Sequence, residues 1–286
     1  MKIFFGMKTV LDQVYAEIQT LHGSRTDELI KNKIWYLVNT YNGLSSSAFQ
    51  PLDYTDPVTR FVYLFKYVAA HADYVYQILL QLREMVGGPV FFGNNVHISC
   101  IGCGPGSDLI GVVKYLTQSE DEPQSGIAYL LDKEIAWAQA WAKIDAQFQS
   151  GTKLGVTARH LNALDLTTWN TNSDFLNVDL LTMSFFVSEV MGLDTEGALD
   201  QFWIDVLGGA KIGSYLIYHD NNDTRLTDYF DERWSKCGWK SIWKFCGAVT
   251  PEAGEKRSEL EFYEQKFGHS VKLKTNSVVR ILVKHE

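Results

Sequence analysis

Two spacings of apolar residues divide the chain. Over the first 95 residues the spacing is helical: Val10, Leu11, Val14, Ile18 and Leu21 form one stripe, and Leu29, Ile30, Ile34, Leu37 and Val38 form a second. "NGLSSSAFQPLDYTDP" interrupts the pattern, which resumes as a long helical stretch from Val58 to Met85. From residue 96 onward, short apolar runs alternate with amphipathic stretches. Val96, Ile98, Cys100 and Ile101 make a nearly continuous run, as a parallel strand covered on both faces requires. Leu109, Ile110, Val113 and Leu116 follow at helical spacing. A second strand is predicted over Ile127 to Leu131 with a helix rich in Ala and Trp after it, a fourth in "NVDLLTMSFF", and a fifth in "GGAKIGSYLIYHDNND". A helix ending at Gly238, a further strand and a last strand in "NSVVRILVKH" complete the pattern, with the charged residues 251–276 read as a hairpin or loop. Strands alternating with helices predict an α/β fold with a mostly parallel sheet.

The junction "VHISCIGCGPGSDLIGVVKYL" sets glycines 102, 104 and 106 between a strand and a helix, with Ser107 or Asp108 placed to cap that helix. Glycines there permit positive φ and close approach of a ligand to the unpaired N–H groups of the helix start. The same glycines also suit an ordinary turn. Asp132 adds weight to the ligand reading, because an acid at the end of the second strand is placed to accept hydrogen bonds from ribose hydroxyls.

The successive segments "CIGCGPGSDL", "YLLDKE", "ARHLNALDL" and "VDLLTMSFFVSEV" resemble the motifs of class I S-adenosylmethionine-dependent methyltransferases, over roughly residues 96–286. The resemblance implies a seven-stranded Rossmann-like sheet with its last strand antiparallel, helices on both faces, and residues 1–95 as an N-terminal helical cap. It implies S-adenosylmethionine as cofactor, bound by Gly102, Cys103, Gly104, Gly106 and Asp108 at the turn, Asp132 and Lys133 at the ribose, and Ser184 and Phe185 at the fourth strand. For the adenine, Asn162 and Ala163 stand where the family often has an acid and a small residue, and Asp165 is a rival to Asn162 or a cap for "LTTW". Asp179 is expected near the cofactor side.

The dinucleotide form G-x-G-x-x-G would need glycine where this chain has Ser107, which makes an NAD-dependent oxidoreductase the weaker alternative. An Asp- or Asn-Pro-Pro-aromatic motif and a Pro-Cys nucleophile are both missing from the fourth-strand segment, so methylation of base amino groups or of cytosine C5 has no support. A catechol-type metal site would need an acid where Ser184 stands, and no metal is expected; His219-Asp220-Asn221-Asn222-Asp223 is read as a solvated turn, with His219 a possible base.

Acceptor-side groups are sought in the long N-terminal helix, where Tyr63, Tyr67, His71 and Tyr74 share one face, and in Phe186, Glu189 and His219; His219, Tyr67 and Glu189 are the catalytic candidates. Tyrosines packed on the sheet are the plainer reading of that helix face. The formal net charge of -8 argues against a broad phosphate-binding surface, so a small molecule or a protein is expected as acceptor rather than nucleic acid. Cys100, Cys103, Cys237 and Cys246 fit structural thiols, and the chain carries neither a membrane-length apolar run nor a signal-peptide pattern, which predicts a cytoplasmic protein. A methyltransferase-like protein that binds the cofactor and transfers nothing is the alternative from another class. Oligomeric state has no signature in the sequence.

Overall fold

The computed structural model describes residues 1–42, 52–119, 123–148, 151–170, 173–255 and 257–285. Residues 43–51, most of the interruption read from "NGLSSSAFQPLDYTDP", lie outside the described residues. Helices α1 (Ile3–His22) and α2 (Thr26–Asn42) carry the two stripes. Val10, Leu11, Val14 and Ile18 are buried, whereas Leu21 at the end of the first stripe is exposed. The long helical stretch is α3 (Pro57–Tyr63), a π-helical turn (Leu64–Val68) and α4 (Ala69–Val86) in unbroken succession. Asp56 caps its start by accepting from the Val58 N–H, with Pro57 in the first turn, and Gly87 ends it in a left-handed conformation.

The strands are β1 (Asn95–Ile101), β2 (Ser125–Asp132), β3 (Lys153–His160), β4 (Leu180–Ser184), β5 (Tyr215–Asn221), β6 (Trp239–Val249) and β7 (Thr275–Lys284). They form one seven-stranded sheet in the order β3-β2-β1-β4-β5-β7-β6. β1 to β5 pair in parallel, and β7 pairs antiparallel with both β5 and β6. The helices between strands are α5 (Ser107–Gln118), α6 (Trp137–Asp145), α7 (Val187–Val190), α8 (Asp200–Gly208), α9 (Thr224–Ser235) and α10 (Glu261–Phe267).

Because side chains alternate along a strand, neighbouring residues enter different cores. Cys100, Leu130, Leu180, Ile217 and Val279 join α1, α4, α5 and α6 in one cluster. Ile101, Leu131, Leu181, Leu216 and Val278 join α7, α8 and α9 in the other. The N-terminal helices therefore share a core with one sheet face. Gly111 of α5 lets two helix backbones approach closely in that core: a Cβ there would stand 2.4 Å from the Ala72 carbonyl oxygen of α4. Beside this crossing, the ammonium of Lys114 bonds the carboxylates of Asp73 (2.5 Å), Glu255 (2.8 Å) and Glu252 (3.1 Å) and sits over the Tyr76 ring. Glu255 also accepts from the N–H of Ile3 at the start of α1.

Three expectations change. Residues 251–276 are not a hairpin: they contain a 3-10 turn (Arg257–Leu260) and α10, which packs Tyr263 and Phe267 against Phe61 of α3. Period and turn residues alone do not reveal this helix, because it is only seven residues long. The start of α5 is Gly106, at φ 89, so neither Ser107 nor Asp108 caps it. Asp179 sits at the amino end of β4, where it accepts from the His97 N–H and the Lys211 ammonium, far from the carboxyl ends of the strands.

Candidate active site

In an open α/β sheet, ligands bind outside the carboxyl ends of the strands, where the order reverses; here that is between β1 and β4. The glycine turn occupies this place. Gly102, Gly104 and Gly106 all have positive φ (64, 51 and 89°). Their surroundings differ. A Cβ on Gly102 would meet Phe186 at 2.2 Å and one on Gly106 would meet Trp141 at 2.6 Å, so these two glycines are demanded by packing. A Cβ on Gly104 meets nothing closer than 3.9 Å, where Trp137 and Tyr63 stand, which leaves the space above this glycine open to a ligand.

Asp132 ends β2 beside that space. Its carboxylate accepts from the Gly104 N–H (2.7 Å) and the Glu134 N–H (2.8 Å), and burial pushes its pKa up to about 6. Each carboxylate oxygen retains a second lone pair for a hydroxyl. A small open cleft adjoins it, lined by Gly104, Asp132, Ile135, Trp137 and Arg159 among others. Lys133 is exposed at the turn, and Cys103 is buried with its thiol pKa raised by burial.

Asn162 and Asp165 lie in the loop after β3. The Asn162 side-chain oxygen accepts from the Leu164 N–H at 3.2 Å, and Ala163 is buried between them. Asp165 accepts from the N–H and hydroxyl of Thr167, so it caps the 3-10 turn of "LTT". The capping alternative for Asp165 is thus present, and Asn162 uses for an Asx turn the oxygen expected to face the adenine.

Under the glycine turn, Asp108, Thr182 and Ser184 gather on the capped face, with the two hydroxyls near the Asp108 carboxyl and one oxygen of each side chain left without a well-formed hydrogen bond. Asp108 Oδ2, Thr182 Oγ1 and Ser184 Oγ are all buried and unsatisfied among the described residues. Asp108 is 1% exposed, and burial raises its carboxyl pKa to about 6 although the Thr182 and Ser184 hydroxyls oppose the rise. An orphaned buried carboxylate is costly, and such groups cluster where a ligand completes them. The glycine cradle, Asp132 and these orphaned atoms fit an adenosyl amino acid: ribose hydroxyls at Asp132 and a polar, charged end at the turn.

The next position, Phe185, is a bulky residue at φ 57, a conformation that costs roughly 1–2 kcal/mol. Its N–H is fixed by the His219 carbonyl at 2.7 Å, and its ring stacks on His71 (4.3 Å, 22°) and meets His219 edge-on (4.7 Å, 60°). Phe185 therefore faces the cap, between the rings of His71 and His219. Tyr63, Tyr67, His71 and Tyr74 do line up along one side of the helix, with successive ring centroids 5.3, 5.6 and 6.0 Å apart. Tyr54 and Tyr63 close over Trp137 at 5.3 and 5.6 Å, and the Tyr54 hydroxyl reaches Glu189 at 3.5 Å. Glu189 is half-buried, and burial, with Asp132 and Asp220 nearby, pushes its pKa to about 8.

The solvated-turn reading of residues 219–223 holds only for Asn222 and Asp223, which follow the end of β5. His219 and Asp220 are fully buried inside β5, on opposite faces of the sheet. Asp220 accepts from the Ser188 N–H at the start of α7 and from the Asn221 N–H; Asp223 caps α9 by accepting from the Arg225 N–H. His219 joins the capped face, where Ser277 and Thr275 of β7 stand beside it. These two hydroxyls went unrecognised in the sequence, because register between β5 and β7 alone brings them to His219, fifty-eight residues away. All four cysteines are free thiols. No helix among the described residues is long and apolar enough to cross a membrane.

No protein-family model matches the chain, and no curated protein sequence matches it. Solved structures do. One is described as a class I S-adenosylmethionine-dependent methyltransferase from Listeria monocytogenes: it is 15% identical, aligns over 99% of this chain and 88% of its own, and has a TM-score of 0.51. The N-methyltransferase NodS from Bradyrhizobium japonicum, solved with S-adenosyl-L-homocysteine, is 10% identical over 87% of this chain and 98% of its own, at a TM-score of 0.44. A protein described as an RNA methyltransferase from Pyrococcus horikoshii is 12% identical over 87% and 97%, also at 0.44. At such identities the likeness concerns architecture, and the first of these, with the strand order and the antiparallel β7, carries it: the chain has the Rossmann-like fold of the class I S-adenosylmethionine-dependent methyltransferases.

Proposed function

We propose that the protein transfers a methyl group from S-adenosylmethionine to a small molecule or a protein side chain held beneath the N-terminal helices. The observation that carries this reading is the open space above Gly104, whose N–H is held by Asp132 at the carboxyl ends of β1 and β2, together with the unsatisfied buried oxygens of Asp108, Thr182 and Ser184. In this reading Asp132 holds the ribose, Asn162, Ala163 and Lys133 border the adenine, and Gly102, Cys103, Gly106, Asp108 and Ser184 surround the amino-acid end. The bound cofactor would supply an activated methyl on a sulfonium. The chain's own task is then to orient the acceptor in line, exclude water and take up one proton.

Residues 1–95, joined by α10, serve as the cap in this reading. Tyr54, Tyr63 and Tyr67 shut the space from solvent, and Phe185, His71 and His219 form the acceptor side. Glu189 stands between the two halves, where a cationic neighbour would favour its ionised form. The net charge of -8 supports a small-molecule or protein acceptor over a polyanion.

Calorimetric titration tests the reading, with S-adenosylmethionine and S-adenosylhomocysteine as ligands and NAD as comparison. Micromolar binding of the first two, weakened at least tenfold by Asp132→Ala, is expected. Binding of NAD instead would support the dehydrogenase alternative. Binding of both adenosyl ligands with no transfer across a broad acceptor screen would support the non-catalytic one.

A further inference from the structure

His219 has one ring nitrogen engaged and one bare. Nε2 lies 2.9 Å from Ser277 Oγ, and Ser277 Oγ donates to Thr275 Oγ1 at 3.3 Å. A serine hydroxyl has a single proton, so Ser277, having spent it on Thr275, accepts from the imidazole, and Nε2 carries the ring hydrogen. The reverse chain, from Thr275 through Ser277 to Nε2, would leave an N–H on Nδ1 buried without an acceptor, and orphaned buried donors are rarer than orphaned acceptors. Nδ1 is buried without a partner among the described residues, and the whole side chain is inaccessible. Burial also holds the imidazole neutral, with a pKa of about 3.

The surrounding groups do not fill this vacancy. Tyr74 meets the ring edge-on and spends its hydroxyl on the Leu273 carbonyl; Phe185 offers only its ring; His71 stacks on Phe185; Asp220 faces the opposite side of the sheet. A neutral, buried nitrogen lone pair is a specificity element. It rewards a hydrogen-bond donor and penalises an anion.

We propose that His219 presents a bare Nδ1 to the acceptor, that Ser277 and Thr275 are positioning residues fixing this tautomer, and that the acceptor is accordingly an uncharged group bearing an N–H or O–H hydrogen. This rests on the methyl-transfer reading above. The proton on the acceptor atom moves to Nδ1, while the electron pair of that bond stays on the acceptor atom. So weak a base takes the proton only as the acceptor atom becomes positive on gaining a methyl group, and the Nε2–H stays on Ser277 throughout. A thiolate or carboxylate acceptor would have no proton to give.

Nitrogen-15 NMR of selectively labelled histidine tests this on the full chain, first without ligand. The expected spectrum of His219 shows a protonated Nε2 and an unprotonated Nδ1. Ser277→Ala should give a mixture of both tautomers and Ser277→Thr should restore the single one, a response that a purely structural serine would not produce. Phenol and aniline, added with S-adenosylhomocysteine, should move the Nδ1 resonance, whereas benzoate should not; Ser277→Ala should weaken the phenol response at least threefold. A hydrogen on Nδ1, a tautomer indifferent to Ser277→Ala, no response to phenol or aniline, or an equal response to benzoate would each overturn the proposal. Loss of S-adenosylhomocysteine binding would instead overturn the cofactor reading, which calorimetry registers separately from the tautomer.

Discussion

Asp108→Asn should make the ligand-free protein more stable at neutral pH, although it replaces a residue in the heart of the site. The carboxyl is 1% exposed, lacks a partner for Oδ2, and has its pKa raised from 3.8 to about 6, chiefly by burial. A raised carboxyl pKa means that the unfolded chain releases its proton first. This contribution therefore lowers stability as pH climbs from about 4 to 6 and stays constant above. At about 1.4 kcal/mol for each tenfold change in proton affinity, the penalty reaches about 3 kcal/mol at pH 7.5 and vanishes at pH 4. Asparagine keeps the shape, cannot ionise, and can donate to the Thr182 and Ser184 hydroxyls. For a chain of this size the gain corresponds to roughly 5 °C in Tm. Scanning calorimetry of both proteins from pH 4 to 8 reads it as a difference, so Asp132, Asp220 and Glu189, which titrate in both, cancel. A variant less stable than the parent at pH 7.5, or a Tm difference that does not change with pH, would refute the reasoning. The same substitution should weaken S-adenosylhomocysteine binding, the trade of stability for function found at ligand sites.

Further outcomes follow from the packing. Gly104→Ala should fold with a loss of about 1 kcal/mol for its left-handed backbone, yet bind S-adenosylhomocysteine at least tenfold more weakly by calorimetry, because the methyl enters the open space. Gly102→Ala should instead fail in stability, since its Cβ would stand 2.2 Å from the Phe186 ring. Lys114→Met strands the carboxylates of Asp73 and Glu255, both almost fully buried, and should cost about 3–5 kcal/mol in urea unfolding, with Asp73→Leu in the same chain recovering part of it. Gly111→Ala should lose about 1–2 kcal/mol in the same assay, because overpacking against the Ala72 carbonyl outweighs the gain in helix propensity.

The middle of the sheet was legible because its central strands are buried on both faces and read as apolar runs, and because three closely spaced glycines leave few conformations other than the turn observed. Asp132 was legible for the same reason: position at a strand end is a local property. What local pattern could not supply is register across the sheet. It brings Ser277 to His219, and it turns His219 and Asp220, which look like turn residues, into buried groups on opposite faces. Nor could it reveal Lys114, a residue that reads as a solvated helix position until Asp73, Glu252 and Glu255 arrive from distant segments. The π-helical turn between α3 and α4 left no signature, because the apolar spacing continues through it. The cap face of Tyr63, Tyr67, His71 and Tyr74 was visible from its period, but what it meets, the strained Phe185, depends on one residue at φ 57 that no composition rule anticipates.

A crystal structure with S-adenosylhomocysteine tests the central claim most directly. The account predicts the ribose hydroxyls on the Asp132 carboxylate, the amino-acid end against the Gly102–Gly106 turn and Asp108, and Tyr54 and Tyr63 displaced from Trp137 or closed over the ligand. Density for the ligand elsewhere, or a ligand at the turn that leaves Asp132 bonded only to its two backbone N–H groups, would contradict it.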